Sequence, residues 1–143
     1  IFDIGTLKHR ITVKNMDAIV FFSTCLPPVG NREMSLVYID PPYVSAGNRL
    51  YLNFYTEKDH KDLAGYLLQQ LDLRWVVTYD NTDLIKELYS PCQRWIFNLG
   101  YSLQSKQKGE ELLIAPNCLK LPDRNKVTSN RWTLKKKLRS IEI

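Results

Sequence analysis

The sequence has few of the residues that build metal sites or disulfide frameworks. Its 143 residues include three cysteines, Cys25, Cys92 and Cys118, and two histidines, His9 and His60. An odd number of widely spaced cysteines predicts neither a disulfide framework nor a zinc site, so no metal is expected. Free thiols are typical of a reducing compartment, and we therefore expect a cytoplasmic protein.

Long hydrophobic runs are also missing. Because no stretch of about 20 apolar residues occurs, we predict that no segment spans a membrane. The first residues have no initiator methionine and no charged-then-apolar leader pattern, so we expect residues 1–9 to be the end of a preceding segment. A chain of 143 residues is long enough for one domain with its own core.

Positive charge is concentrated at one end of the chain. The net charge is +5, yet residues 1–119 hold 12 Lys and Arg against 13 Asp and Glu. Residues 120–139 hold eight Lys and Arg against one acid, Asp123. We therefore predict a main body over residues 10–119 and a basic tail over residues 120–143. Such a tail indicates a polyanionic partner, although a merely solvated C-terminus explains it equally well.

Alternating strand and helix patterns predict an α/β fold with a parallel sheet. Apolar runs predict strands at residues 10–15, 36–39 and 74–81, and helical patterns predict helices at residues 17–26, 56–71 and 82–90. Two later runs, "CQRWIFNLGYSL" and "EELLIAPN", predict an antiparallel hairpin. The expected architecture is half of a doubly wound domain, closed by that hairpin.

The helix that follows Thr56 has the acids and spacing of a capped N-terminus. Leu63, Tyr66, Leu67 and Leu71 are predicted to form its apolar face. His60 lies near two aspartates on the same helix, which favours a solvated, charged face over a general-base role.

The most informative stretch is "LVYIDPPY", residues 36–43. Leu36–Ile39 is apolar throughout, which predicts a strand that is buried on both faces. Asp40 follows directly, and Pro41 and Pro42 end the ladder because they have no N–H to donate. In open α/β sheets the ligand crevice lies at the carboxyl ends of the strands, so Asp40 is expected where chemistry takes place.

Asp-Pro-Pro-Tyr at such a position suits the activation of a nucleobase amine. The nitrogen lone pair is delocalised into the ring, and acceptors for both N–H bonds restore it. Asp40 can accept one N–H, and the backbone carbonyl of Pro41 can accept the other, held by the two fixed proline φ angles. Tyr43 offers a flat face on which an extruded base can stack. The motif therefore predicts attack by an amine on an electrophilic methyl group.

Over about residues 10–119, the chain resembles the Dam-type N6-adenine DNA methyltransferases, an Asp-Pro-Pro-Tyr (alpha-group) family. The resemblance rests on four stretches of the sequence: "YIDPPY", "FYTEKDHKDLAGYL", "WVVTYDN" and "EELLIAPN". It implies a Rossmann-like sheet that binds S-adenosylmethionine and transfers its methyl group to adenine N6 in DNA, in restriction-modification, phage or housekeeping methylation. It places the catalytic motif on Asp40, Pro41, Pro42 and Tyr43.

The resemblance also implies roles for residues outside the motif. Asp40 and Asp17 are expected near the cofactor, and Asp17 also caps the predicted helix at 17–26. Tyr79, Asp80 and Asn81 are expected to shape the adenine pocket. The loop aromatics Tyr51, Phe54 and Tyr55 could stack on DNA bases or pack at the edge of the core, and Tyr55 is our candidate for substrate contact.

Glycine is where the chain departs from the family pattern. The family binds its cofactor through a Phe-x-Gly-x-Gly loop, but no two of the six glycines here are separated by one residue. Since that loop precedes Asp-Pro-Pro-Tyr, the chain resembles the C-terminal half of such an enzyme.

Three other interpretations stay open at this point. The first two are an RNA or protein amine N-methyltransferase and a non-catalytic, basic nucleic-acid-binding module. The third follows from "SPCQ", which resembles the nucleophile motif of cytosine-C5 methyltransferases. We expect Cys92 in that stretch to be a buried, inert side chain instead.

Overall fold

The computed structural model describes residues 5–32, 34–45, 55–100 and 108–121. After a 3₁₀ turn at Lys8–Arg10, its elements are α1 (Ala18–Cys25), β1 (Leu36–Ile39), α2 (Glu57–Leu68), β2 (Arg74–Asp80), α3 (Asp83–Leu88), β3 (Gln93–Gly100) and β4 (Lys108–Ala115). Residues 122–143 of the predicted basic tail, and the aromatics Tyr51 and Phe54, lie outside the described residues.

The four strands form one mixed sheet in the order β1-β2-β4-β3. β1 and β2 are parallel, with Ile39 level with Val77. β4 runs antiparallel to both of its neighbours, so β3 points in the same direction as β1 and β2. After β2 the chain runs through α3 to β3, which lies two positions from β2 in the sheet. β4 then occupies the position between them. The predicted α/β class and its closing antiparallel hairpin are confirmed.

Two helices begin at caps that the sequence predicts. Asp17 accepts the N–H groups of Ile19 and Val20 at 2.9 and 3.1 Å, which satisfies two donors that the first turn of α1 leaves free. Thr56 and Asp59 form a capping box at the start of α2. Both caps fix where the chain enters the helix, and Asp17 also lines the cavity described below.

The core lies between the sheet and α2 and α3. Alternate residues of β2, namely Trp75, Val77 and Tyr79, are fully buried on this side of the sheet. Leu63 and Leu67 of α2 pack against the same core. Leu71, predicted on this apolar face, lies beyond the end of α2 and is 86% exposed. Because the helix ends at Leu68, the periodicity that placed Leu71 inward no longer applies.

Two predictions about strands are wrong. Residues 11–15 form no strand in this structure, and the short 3₁₀ turn at Lys8–Arg10 comes directly before them. β1 is a strand, but it is buried on one face, because Leu36 and Tyr38 are 65% and 62% exposed. No element in the described part of the chain covers that face, whereas Ile39 on the other face is buried in the core.

None of the helices in the described ranges combines the length and the apolar character that crossing a bilayer requires.

Candidate functional site

Asp40 lies at the carboxyl end of β1, where β2 extends further than its neighbour. Because Ile39 is level with Val77, Asp40 comes beside Thr78. The hydroxyl Oγ1 of Thr78 donates a hydrogen bond to Oδ1 of Asp40 at 3.0 Å. The phenol oxygen of Tyr38 lies 3.0 Å from the same Thr78 oxygen. The Asp40 carboxylate is exposed to solvent yet held on one side by a hydroxyl that is itself buried.

The far end of the Asp-Pro-Pro-Tyr loop is held by a second acid. Oδ1 of Asp80 accepts the N–H of Val44 at 3.0 Å, and Oδ2 accepts the N–H of Ser45 at 2.8 Å. Since Asp80 is the last residue of β2, the same strand contacts the loop at its beginning and at its end.

A cavity of about 640 Å³ opens beside this loop. Its volume is within the range of about 300–1,000 Å³ that small-molecule sites occupy. Both carboxylates that were predicted near the cofactor, Asp17 and Asp40, line it together with Lys14 and Tyr55. The rest of the wall is mainly apolar and consists of Met16, Ala18, Phe21, Phe22, Val37, Tyr38, Ile39, Pro41, Pro42 and Leu63.

Asp17 has capacity left for a ligand after it has capped α1. Both of its capping bonds go to one carboxylate oxygen, Oδ1. A carboxylate has two oxygens with about four acceptor positions, so Oδ2 is not used by the cap. Asp17 is exposed at the cavity wall, and the negative charge of its carboxylate contributes to raising the pKa of Tyr55.

A buried histidine lies directly behind the cavity. His60 is 2% exposed, and its Nδ1 lies 3.0 Å from the hydroxyl oxygen of Tyr79. Its ring centre is 5.4 Å from that of Tyr55. Burial lowers the pKa of His60, against the opposing effects of Asp80 and Asp59. The expectation of a solvated helix face is wrong for His60, because this position of α2 turns toward the sheet.

The predicted site residues divide into two groups. Five of them line the cavity: Asp17, Asp40, Pro41, Pro42 and Tyr55. Tyr43, Tyr79, Asp80 and Asn81 do not line it. For Tyr55, burial and the nearby acids Asp17 and Asp59 raise the pKa of the phenol.

The residues of the second group are held by other parts of the protein. Tyr79 is fully buried, and its hydroxyl oxygen lies 3.0 Å from Nδ1 of His60. Asn81 donates from its amide to the carboxylate of Glu110 at 2.7 Å. The ring of Tyr43 is half-buried against the core. Asp80 reaches the loop backbone, as described above.

Sequence reasoning missed Thr78 and Lys14. Thr78 had a recognisable signal, because it stands two residues before Asp80 on a strand and must therefore share its face. Lys14 had no such signal, because it lies in a segment that was predicted to be a strand.

Cys92 does not belong to this site. It is half-buried, and burial raises the pKa of its thiol, which works against a reactive thiolate. With Cys118 it lines a separate cavity of about 270 Å³ near the start of β2. Within the described residues, no three His, Cys, Asp or Glu side chains are grouped as a metal site would require.

Comparison of the chain with protein-family models gives no match, and no curated protein matches it significantly.

Proposed function

We propose that this chain carries the amine-activating part of an S-adenosylmethionine-dependent methyltransferase that acts on adenine N6 in DNA. The observation that carries the proposal is the exposed Asp40 carboxylate, held by Thr78 at the carboxyl end of a parallel strand and beside a ligand-sized cavity. An acid fixed in this way can accept a hydrogen bond without first losing side-chain freedom.

The expected chemistry follows from what Asp40 and Pro41 can accept. Oδ1 of Asp40 is engaged by Thr78, so Oδ2 would accept one N–H of the substrate amine. The carbonyl of Pro41 would accept the other N–H. With both N–H bonds held, the nitrogen lone pair would be free to attack a methyl group whose sulfur leaves as a neutral thioether, and Oδ2 of Asp40 would take up the proton that the methylated amine must lose.

S-adenosylmethionine supplies the electrophilic methyl group in this reaction. The cavity fits part of such a ligand, since Asp17 and Asp40 offer carboxylate oxygens to its cationic and N–H groups. Phe21, Phe22 and the prolines offer apolar surface to its ring. These residues would hold one side of the cofactor, and the family's glycine loop has no counterpart in this chain.

The test is methyl transfer by the intact protein that contains these residues, with labelled S-adenosylmethionine and with DNA, RNA and protein as separate substrates. Asp40→Ala should lower the rate on the order of 100-fold or more, because one acceptor at the reacting nitrogen is lost. Asp40→Asn should lower it less, because its amide oxygen can still accept an N–H. Asp62→Ala removes an exposed acid of α2 that lies outside the cavity, and it should keep wild-type activity.

Nucleoside analysis of the product identifies the modified atom. The proposal predicts N6-methyladenine in DNA. Methylation of RNA or protein without DNA modification would overturn the DNA assignment. Activity of Asp40→Ala within a few fold of wild type would overturn the catalytic assignment of the motif.

A further inference from the structure

We propose that Thr78 and Asp80 are positioning residues, which together set the geometry of the Asp-Pro-Pro-Tyr loop. This inference rests on the proposed function for its kinetic consequence. The two residues stand two positions apart on β2, so they point to the same face of the sheet. Tyr79, between them, points into the core on the opposite face.

The donor directions along the Thr78 contact follow from the chemistry of its partners. A carboxylate can only accept, so the single hydroxyl proton of Thr78 goes to Asp40. The phenol of Tyr38 must then donate to the Thr78 oxygen. The chain of hydrogen bonds runs from Tyr38 through Thr78 to Asp40, and it leaves Oδ2 of Asp40 to the substrate.

Thr78 has a fixed position from which to act. It is 6% exposed and pairs with Leu113 of β4, one position beyond the last residue of β2 that pairs with β1. A short, buried, β-branched side chain has few rotamers, so the Thr78 hydroxyl stays in one place and holds the Asp40 carboxylate in one orientation.

Asp80 fixes the other end of the loop through two consecutive backbone N–H groups, those of Val44 and Ser45. Charged acceptors give the stronger class of hydrogen bond. Between the two contacts lie Pro41 and Pro42, whose φ angles are already fixed by their rings, and Tyr43. The path of the loop is therefore set at both ends and stiff in the middle. Asp80 itself does not line the cavity, so it acts on the loop and not on a ligand.

The kinetic test compares Thr78→Val with Thr78→Ser. Valine keeps the shape and removes the hydroxyl, and it should lower kcat on the order of 10- to 100-fold with little change in the KM for S-adenosylmethionine. Serine keeps the hydroxyl and should recover activity to within a few fold of wild type. Equal damage from both variants, or an unchanged kcat for Thr78→Val, would overturn the role of Thr78.

A second readout does not depend on catalysis. Amide hydrogen exchange measured by NMR should be slow at Val44 and Ser45 in the wild type, and faster by 10-fold or more at these two positions in Asp80→Ala. Asp83→Ala, three residues further along, replaces a fully exposed acid and should leave both amides unchanged. Unchanged protection in Asp80→Ala would overturn its role.

The two readouts separate this inference from the proposed function. If the wild type methylates no substrate, the proposed function fails, while hydrogen exchange still decides whether Asp80 holds the loop. If the wild type is active but neither Thr78→Val nor Asp80→Ala has its predicted effect, the positioning inference alone fails.

Discussion

The two ends of the sheet bury similar aromatic side chains but treat their polar atoms differently. At the end that carries Asp40, the hydroxyl of buried Tyr79 is paired with His60 at 3.0 Å. Toward the opposite end, the indole nitrogen of Trp75 and the hydroxyl of Tyr89 are buried with no hydrogen-bond partner among the described residues. Tyr89 contacts both Tyr79 and Trp75, with ring centres 6.1 Å apart in each case.

The two cavities differ in the same way. The larger one, at the Asp40 end, has two carboxylates and a lysine in its wall, whereas the smaller is lined mainly by leucines, Trp75, prolines and two cysteines. Around Tyr79 the buried aromatic hydroxyl is hydrogen-bonded, whereas around Trp75 the polar atoms of the buried aromatic rings have no partner among the described residues and packing stabilises the rings. This contrast predicts that a substitution near Trp75 will lower stability mainly through lost packing, whereas one at Tyr79 will lower it mainly through a lost hydrogen bond.

The largest expected effect is at the packed end. Trp75→Ala should lower the free energy of unfolding by about 3–5 kcal/mol, because it leaves a large cavity in a fully buried position. Urea unfolding followed by far-UV circular dichroism measures this change. Trp75→Phe keeps most of the volume and removes the unpaired N–H, so it should cost clearly less. Equal losses for both variants would show that packing at Trp75 is not what stabilises this end.

A smaller effect is expected at the hydrogen-bonded end. Tyr79→Phe keeps the ring but leaves Nδ1 of His60 without its partner in a buried site, which should cost about 1–3 kcal/mol. The same unfolding experiment applies. Stability equal to that of the wild type would mean that the contact between Tyr79 and His60 contributes nothing.

The pH dependence of stability tests the same histidine without changing its neighbours. Burial holds the pKa of His60 below its ordinary value of 6.5 in the folded state, so the unfolded state binds more protons. The contribution to stability is complete above about pH 6.5 and is lost as the pH falls from there through the lower, folded-state pKa.

Unfolding midpoints measured across this range should fall as the pH is lowered. His60→Gln should flatten that part of the profile. His9→Gln, at an exposed position of the 3₁₀ turn, should leave it unchanged. A profile that keeps its slope in His60→Gln would assign the effect to other groups.

The smallest effect is expected at Tyr89, which is the matched partner of Tyr79 in this comparison. Both rings are fully buried, but the hydroxyl of Tyr89 has no partner in the described part of the chain. Tyr89→Phe should therefore change stability by no more than about 0.5 kcal/mol, or increase it slightly. A loss as large as that of Tyr79→Phe would reveal a hydrogen bond at Tyr89 and remove the contrast between the two ends.

Local patterns were sufficient for the elements with strong signals. Thr56 and Asp59 mark the start of α2, and the apolar run after Arg74 marks β2, because caps and strand patterns depend on residues close together in sequence. They were insufficient for residues 10–15, whose alternating pattern resembles a strand but finds no pairing in this structure. A strand needs a neighbour, and a neighbour cannot be read from six residues.

For the candidate site, the sequence by itself determined the motif: an acid and two prolines at the end of an apolar strand, with a capped helix on either side. It also determined Asp17 and Tyr55 as candidates, and the cavity contains both. Asp40 could be placed because a strand-ending acid lies at the rim of a parallel sheet, whereas Asp17 was implied by the family resemblance and Tyr55 was a choice among the loop aromatics.

Only the tertiary structure decided which side of each element is covered. It buried His60, exposed Leu36 and Tyr38, and placed Thr78 and Asp80 of β2 against the loop that follows β1. The contacts between β2 and this part of the chain join residues 35–40 positions apart, and their energies exist only after the sheet has brought the segments together.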